Sequence, residues 1–255
     1  DITVFPQGSY RARTNVRQNS DVDVCVRYNW TFFPQYPTGT NQATFGHTDS
    51  AFTFVQFKNL VYTALVEYFG HNGVTWGNKA FDVHQNTYRI DADVVPTFEH
   101  RRYIALGNGQ YTYYSGVEFA PDNGPRIINW PDQTYANGVK RNDDTSRRYK
   151  RLIRVMKRLR DRMKDDGVAS AQGFPSFLIE CLVWNANVSV FDPTLYTEMM
   201  RALIVDLWSR TETESSCSTW VEVNELKYLF HASQPWTREQ VRQFLRDAWN
   251  FVGYE

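Results

Sequence analysis

Two aspartates separated by a single residue, Asp21 and Asp23, have the spacing in this chain that most clearly indicates chemistry. They lie in Ser20-Asp-Val-Asp-Val-Cys-Val, a segment rich in β-forming residues. Residues i and i+2 of a strand point to one face, so the two carboxylates project together while the valines face the other way. Two negative charges on one face repel each other unless a cation lies between them. The segment therefore predicts a Mg²⁺ platform, because Mg²⁺ prefers carboxylate oxygens, substrate phosphates and retained waters.

The residues upstream of these aspartates are of a kind that binds phosphate. Ile2-Thr-Val-Phe is a short β-forming run, and Pro6-Gln-Gly-Ser-Tyr interrupts it and begins a helical turn. The first N–H groups of a helix have no partner inside the helix and attract phosphate oxygens. Gly8 and Ser9 are therefore candidate phosphate-binding residues next to the predicted metal platform.

A third carboxylate is available in Tyr88-Arg-Ile-Asp-Ala-Asp-Val-Val-Pro, a second alternating segment. Asp91 and Asp93 share a face of this predicted strand. We favour Asp93 as the third metal ligand, with Asp91 behind it or at the surface. Three acids from two adjacent strands can hold two metal ions about 3.5–4 Å apart, which activate an attacking hydroxyl and stabilise a leaving pyrophosphate. Asp21, Asp23 and Asp93 are thus the predicted catalytic, metal-binding residues.

The predicted secondary structure that positions these residues changes near residue 130 from mainly strands to helices. The first part alternates strands with one long helix, for which Asp49-Ser50 is a candidate N-cap, and Phe32 to Thr48 is predicted to be a mobile loop that either closes over substrate or is a plain surface insertion. The rest has helical periodicity. Predicted strands lie near residues 2–6, 21–28, 80–84, 87–95, 97–105, 111–119 and 125–129; predicted helices lie near 50–69, 131–142, 145–166, 175–186, 193–208, 222–230 and 237–252. The pattern predicts an α+β protein with a catalytic core over 1–130 and a helical lobe over 131–255.

The predicted helix near 145–166 has one apolar and one basic face. The apolar face is formed by residues at i+3 and i+4 spacing, namely Tyr149, Leu152, Ile153, Met156, Leu159 and Met163. From Arg147 to Lys164 there are ten Lys or Arg residues and a single Asp. For most of these residues an ordinary solvated face is the better interpretation.

Composition excludes several other classes of protein. The 255 residues carry a formal net charge of zero, which disfavours wrapping of long nucleic acid, so we expect no stable nucleic-acid partner. The three cysteines are far apart and the five histidines are scattered, so neither a zinc site nor a Cys-His nucleophile is indicated. No apolar run approaches 18 residues, and no signal peptide is visible. These features predict a cytoplasmic protein with buried free thiols and no membrane contact.

Taken in order, these motifs resemble a known family. Gly8-Ser9, Asp21-Val-Asp23 and a later strand Asp look like the DNA polymerase β-like nucleotidyltransferase superfamily. Gln-Gly-Ser-Tyr, Thr-Asn-Val-Arg, Ser-Asp-Val-Asp-Val and Asp-Ala-Asp-Val-Val-Pro together resemble the bacterial cGAS/DncV-like nucleotidyltransferases. Ile127-Ile-Asn-Trp-Pro, Leu152-Ile-Arg-Val-Met-Lys157 and Phe174-Pro-Ser-Phe-Leu-Ile-Glu180 extend the resemblance over most of the chain.

This resemblance implies an activity and further site residues. Such enzymes use two Mg²⁺ ions, for which Mn²⁺ is a substitute, to join NTPs into cyclic oligonucleotide signals in anti-phage (CBASS) defence. ATP is an expected substrate, with UTP, GTP or CTP as further candidates, and a separate effector reads the product. Lys157 lies where relatives place a lysine on the donor triphosphate, Ser176 where they contact phosphate, and Phe177 where they stack on the donor base. The resemblance also implies two lobes around a central cleft and a monomer, and it suggests that a natural N-terminal helix precedes this chain.

Two alternatives remain open from the residues alone. One is a nucleotidyltransferase that modifies another acceptor, such as a tRNA end, a protein hydroxyl or an antibiotic. The other is an inactive nucleotide-binding sensor, against which the presence of all three acids counts.

Overall fold

The computed structural model describes residues 1–16, 21–88 and 90–254. They form two compact units. The first consists of Asp1–Arg11 and Asn19–Asp132, and the second of Ala12–Gln18 and Gln133–Glu255. No helix within the described residues has both the length and the apolar character that crossing a bilayer requires.

The first unit is a seven-stranded mixed sheet with one long helix. Its strands are β1 (Ile2–Pro6), β2 (Val22–Gln35), β3 (Val74–Trp76), β4 (Phe81–Val83), β5 (Ala92–Gly107), β6 (Gln110–Phe119) and β7 (Ile127–Asn129). The helices of the chain are α1 (Gly8–Ala12), α2 (Phe54–Phe69), α3 (Pro131–Asp144), α4 (Tyr149–Asp165), α5 (Ser176–Asn185), α6 (Tyr196–Arg210), α7 (Glu214–Cys217) and α8 (Arg238–Phe251). The predicted combination of a mixed sheet followed by helices is confirmed.

Strand order brings the acidic segments together. The sheet runs β1-β2-β5-β4-β3, with β6 paired to the second half of β5 and β7 paired to β6. Strands β2 and β5 are parallel, whereas the pairs β1/β2, β4/β5 and β5/β6 are antiparallel. The two strands that carry the predicted metal ligands are therefore direct neighbours at the middle of the sheet.

One face of this sheet packs on α2, and the acids lie on the other face. Phe57 and Val61 of α2 form a buried cluster with alternate residues of the strands. The strand members of that cluster are Val26, Val74, Phe81, Val83, Val94 and Phe98. Because side chains alternate along a strand, the residues between them face away from this core.

The second unit is helical, as predicted. Its core is one buried cluster built from α4, α5, α6 and α8, and it includes Leu152, Ile153, Met156 and Met163 from the apolar face of α4. The three cysteines of the chain, Cys25, Cys181 and Cys217, are buried free thiols.

The predicted N-cap of α2 was wrong. The helix begins at Phe54, and its N-cap is Thr53, whose hydroxyl accepts a hydrogen bond from the Gln56 N–H while the Gln56 side chain accepts one from the Thr53 N–H. This reciprocal arrangement satisfies two helix-terminal donors, which Asp49 and Ser50 do not reach.

The predicted break between two strands at Pro96 was also wrong, because β5 is continuous. A proline cannot donate a ladder hydrogen bond, so it is tolerated only where one neighbouring strand is missing. Pairing with β4 ends at Val94, and pairing with β6 begins at Phe98. Pro96 lies in the interval between them, where only β2 flanks it.

Two further segments differ from the prediction. Strand β2 continues to Gln35, and the predicted loop contains a 3-10 turn at Gln42–Phe45 whose N-cap is Asn41. No helix forms near 222–230 in the described chain; instead Val221 and Tyr228 form an isolated β-bridge. Strand β3 was not predicted.

Candidate active site

Three aspartates lie in a row across neighbouring strands of the first unit. Asp23 of β2 and Asp93 of β5 are register partners, and Asp82 of β4 is the register partner of Asp93 on its other side. Adjacent strands are about 4.8 Å apart, and directly opposite residues point to the same face. Asp93 therefore has a carboxylate neighbour on each side. Asp21 comes one residue before β2 and is exposed.

The neighbouring acids raise the pKa of Asp93, the central member of this row. Partial burial, the negative charges of Asp82, Asp23 and Asp21, and a hydrogen bond with Asp82 together raise the pKa of Asp93 to about 6. A carboxyl group surrounded by like charges is hard to ionise unless a cation compensates it. The site therefore favours either a proton or a metal ion at its centre.

The donor set fits Mg²⁺. Carboxylate oxygens from two strands and from the residue before β2 are the hard ligands that this ion prefers. Among the described residues, no three acidic, His or Cys side chains are already gathered as a metal cage. The negative charges of these carboxylates raise the pKa of Asp93, so the acids lie near enough to act on one another.

Gly8 contacts the same group of acids. It is the first residue of α1 and has a φ of +62°, and a Cβ built on it would lie 2.7 Å from Cγ of Asp23 and still closer to its Oδ2. The Gln7 N–H donates to the Asp23 carbonyl oxygen at 2.9 Å, which holds the turn against β2. Only glycine permits both the left-handed backbone and this close approach. The turn that carries Gly8 and Ser9 therefore lies directly beside an acidic side chain.

Asp91 has a local role instead. Its Oδ1 accepts a hydrogen bond from the Gln85 N–H at 2.6 Å, and its carbonyl oxygen accepts one from the Val22 N–H at 3.1 Å. It thus ties the loop before β5 to the start of β2. The choice of Asp93 over Asp91 as the metal ligand stays a prediction.

Sequence reasoning missed Asp82. The strand near 80–84 was predicted, and Phe81-Asp-Val83 alternates buried and exposed residues. What the sequence did not supply was the order of the strands, which brings Asp82 beside Asp93.

In the helical unit, Lys157 is buried and already has two partners. Its Nζ is 2.6 Å from Oε1 of Glu180 and donates a second hydrogen bond to the Thr14 carbonyl oxygen at 3.1 Å. Its predicted contact with a triphosphate stays a prediction. The structure shows in addition that this ammonium group has a buried counter-ion.

Ser176 and Phe177 begin α5. Ser176 is exposed and does not cap the helix, because the N-cap is Pro175; its Oγ accepts a hydrogen bond from Arg160 at 2.9 Å. Phe177 is half-buried, and its ring centroid lies 6.5 Å from that of Trp236. Arg160 was not distinguished from the other basic residues of α4 by the sequence, and it is the one that contacts Ser176.

Comparison with known proteins identifies the family. A family model described as the cGAS/DncV-like nucleotidyltransferase C-terminal helical domain matches residues 136–253. A cyclic dipyrimidine nucleotide synthase, CdnE, from Legionella pneumophila is 41% identical over 254 residues, which cover 99% of this chain and 84% of that protein. The chain belongs to the cGAS/DncV-like nucleotidyltransferases. The resemblance seen in the sequence is thereby confirmed.

Further members of this family support the assignment along the whole chain. A cyclic dipurine nucleotide synthase from Elizabethkingia meningoseptica is 37% identical over 258 residues, and the alignment covers 100% of this chain and 86% of that protein. The solved structure of Rhodothermus marinus CdnE c-UMP-AMP synthase with Apcpp and Upnpp is 31% identical, with a TM-score of 0.85 over 99% of this chain and 84% of that one. The α+β nucleotidyltransferase fold with a C-terminal helical domain is therefore established for this chain.

Proposed function

We propose that this protein is a cyclic oligonucleotide synthase that joins NTPs by nucleotidyl transfer with release of pyrophosphate. The observation that carries the proposal is the contact between Gly8 and Asp23 within the acidic row. It puts a turn suited to phosphate beside carboxylates suited to Mg²⁺. The relatives that match almost the whole chain are named as cyclic nucleotide synthases, which supports the same reaction.

The residues of the first unit have separate roles in this proposal. Asp21, Asp23 and Asp93 would hold two Mg²⁺ ions, which when bound neutralise phosphate charge and favour ionisation of an acceptor ribose hydroxyl. The N–H groups at Gly8 and Ser9 bind the β and γ phosphates of the donor. Attack of the hydroxyl oxygen on the α phosphorus forms the new phosphodiester bond, and the bond to pyrophosphate breaks. Most of the rate enhancement comes from positioning and charge stabilisation.

Three residues of the helical unit also have roles in this proposal. Lys157 and Ser176 orient the leaving pyrophosphate, and Phe177 stacks on the donor base. A second transfer within the linear product closes the ring. ATP and one further NTP are the proposed substrates, and the cyclic product is proposed to act in the cytoplasm on a separate effector of anti-phage defence.

The test is direct synthesis. The purified protein is incubated with four radiolabelled NTPs and Mg²⁺ or Mn²⁺, treated with phosphatase and analysed by chromatography beside the Asp21→Ala/Asp23→Ala variant. A phosphatase-resistant product that is absent from the variant supports the proposal and identifies the bases. A product that forms only when tRNA or protein is added would replace it with transfer to a macromolecular acceptor.

A further inference from the structure

Three buried polar residues that hydrogen-bond to one another lie inside the helical unit. Thr14, Lys157 and Glu180 expose only 2%, 3% and 7% of their surfaces. A single oxygen, Oε1 of Glu180, accepts hydrogen bonds from Nζ of Lys157 at 2.6 Å and from the Thr14 hydroxyl at 2.8 Å. Lys157 also donates to the Thr14 carbonyl oxygen. Each member of the group therefore contacts the other two.

The hydrogen-bonding capacity of Lys157 is not exhausted by this group. A lysine ammonium has three N–H donors and no acceptor. Within the described residues, one donor is used by Glu180 and one by Thr14, and one remains. The two contacts fix the position of Nζ and leave capacity for one further acceptor, such as a phosphate oxygen.

Glu180 is the buried counter-ion of Lys157. An ammonium group that is buried without a counter-ion is strongly destabilising. A nucleoside triphosphate carries several negative charges. If it reaches Lys157, it supplies a second counter-ion and competes with Glu180 for the same positive charge.

We propose that Glu180 is a positioning residue that shares Lys157 with the triphosphate of the bound nucleotide. This inference rests on the proposed function, because it requires that Lys157 meets the donor triphosphate. Glu180 has two effects. Its oxygen holds Nζ in place, and its negative charge weakens the attraction of Lys157 for phosphate.

The two effects separate in a pair of variants. Glu180→Gln keeps a hydrogen-bond acceptor but removes the negative charge, so we expect it to lower the Tm of the free protein and to bind a non-hydrolysable ATP analogue with Mg²⁺ at least threefold more tightly. Glu180→Ala removes the acceptor as well, so its kcat falls below that of Glu180→Gln. Calorimetric titration measures Kd, and thermal unfolding with and without the analogue measures the stabilisation.

Glu222→Gln is the matched control. Glu222 is also buried in the helical unit, but its oxygens accept hydrogen bonds from the neutral side chains of Asn224 and Gln234. Its substitution lowers Tm without changing the Kd of the analogue.

The outcomes distinguish a failure of the proposed function from a failure of the proposed role of Glu180. Wild-type protein that is not stabilised by the analogue would overturn the proposed function. Wild-type binding with an unchanged or weaker Kd in Glu180→Gln would overturn the sharing of Lys157 alone. If Glu180→Gln is unfolded when free, the analogue should restore its near-ultraviolet circular dichroism, and failure to do so likewise contradicts the proposal.

Discussion

Asp82 and Asp93 face each other across the antiparallel strands β4 and β5, and their carboxyl groups share a hydrogen bond. The raised pKa means that Asp93 keeps its proton to higher pH than an ordinary aspartate, and this proton is what it can donate to the Asp82 carboxylate. Because Asp93 is also beside Asp23, this proton lies within the proposed metal site. Metal binding and proton release are therefore expected to be coupled.

Metal affinity should depend on pH in the wild-type protein. Partial burial and the negative charges of the neighbouring acids raise the pKa of Asp93 to about 6, and a metal ligand must be deprotonated. The ionised fraction of such a group rises roughly fourfold between pH 5.5 and 7.5, so Mn²⁺ should bind about four times more weakly at the lower pH. Calorimetric titration at both values measures this. An affinity that does not change would show that Asp93 does not ionise in this range or is not a ligand.

Asp82→Asn should shift this dependence. The substitution removes the largest negative charge acting on Asp93, so the pKa of Asp93 falls and Mn²⁺ binding persists to lower pH. The same titration on Asp91→Asn is the control, because Asp91 instead contacts the Gln85 N–H. Equal shifts in both variants would contradict the assignment to Asp82.

Asp93→Asn should stabilise the metal-free protein at neutral pH while abolishing synthesis. The folded-state pKa of Asp93, about 6, lies above the ordinary value of 3.8, so the folded protein binds the extra proton and its stability falls as pH rises from about 4 to 6. At pH 7.5 the variant avoids this loss. We expect the free energy of unfolding of the variant to exceed that of the wild type by about 1 kcal/mol, after allowing for solvent screening of a partly exposed group. Urea unfolding with chelator present measures this difference. Near pH 4 the gain should vanish, and a gain at every pH would point to another cause.

Gly8→Ala should reduce activity far more than stability. A Cβ at Gly8 overlaps the carboxylate of Asp23, a proposed catalytic residue, and displacement of a catalytic group by about 1 Å can lower turnover on the order of 100-fold. Gly46→Ala is the matched control. Gly46 has a similar φ of +65°, but among the described residues no atom beyond its own chain neighbours lies within 4 Å of its built Cβ. In both variants the free energy of unfolding should fall by about 1 kcal/mol, because alanine is strained at a positive φ. Only in Gly8→Ala should kcat also fall. Similar kcat values in the two variants would contradict the role of the close approach.

Lys157→Met should be strongly destabilising, because it leaves Glu180 buried without its cation. The expected loss in free energy of unfolding is about 3–5 kcal/mol. The double variant Lys157→Met/Glu180→Leu should recover most of that loss, since apolar replacement of a whole buried pair is often close to neutral. Chemical denaturation of both variants and the wild type measures this. A double variant no more stable than Lys157→Met would show that the pair is not the source of the loss.

The sequence was most informative where the pattern is local. Strand alternation predicted the strand that carries Asp23, whereas Asp21 lies one residue before it, and the turn at Gly8 followed from residue type. Thr53 and Gln56 have the spacing of a capping box, so the correct N-cap of α2 was also present as a local signal. Likewise, Lys157 lies four residues after Ile153 on the apolar face of α4, which indicates burial.

Features that depend on how strands pair could not be obtained in this way. Asp82 belongs to the acidic row only because β4 lies beside β5, and Pro96 fits within β5 only because β4 ends before β6 begins. Neither fact is contained in the residues near those positions. Glu180 was quoted within a family motif, but its oxygen meets Lys157 and Thr14 only after three distant segments have packed.

The parallel pairing of β2 with β5 has a consequence for how the protein is made. Asp23 and Asp93 are 70 positions apart and are joined through a crossover that includes α2. Pairing of strands so far apart forms slowly, because chain entropy is lost before the contacts compensate for it. During synthesis β2 leaves the ribosome well before β5, so the edge of β2 that pairs with β5 stays unpaired until then. The acidic site is therefore expected to assemble late in folding, so that the nascent chain lacks the proposed metal site until β5 has been synthesised.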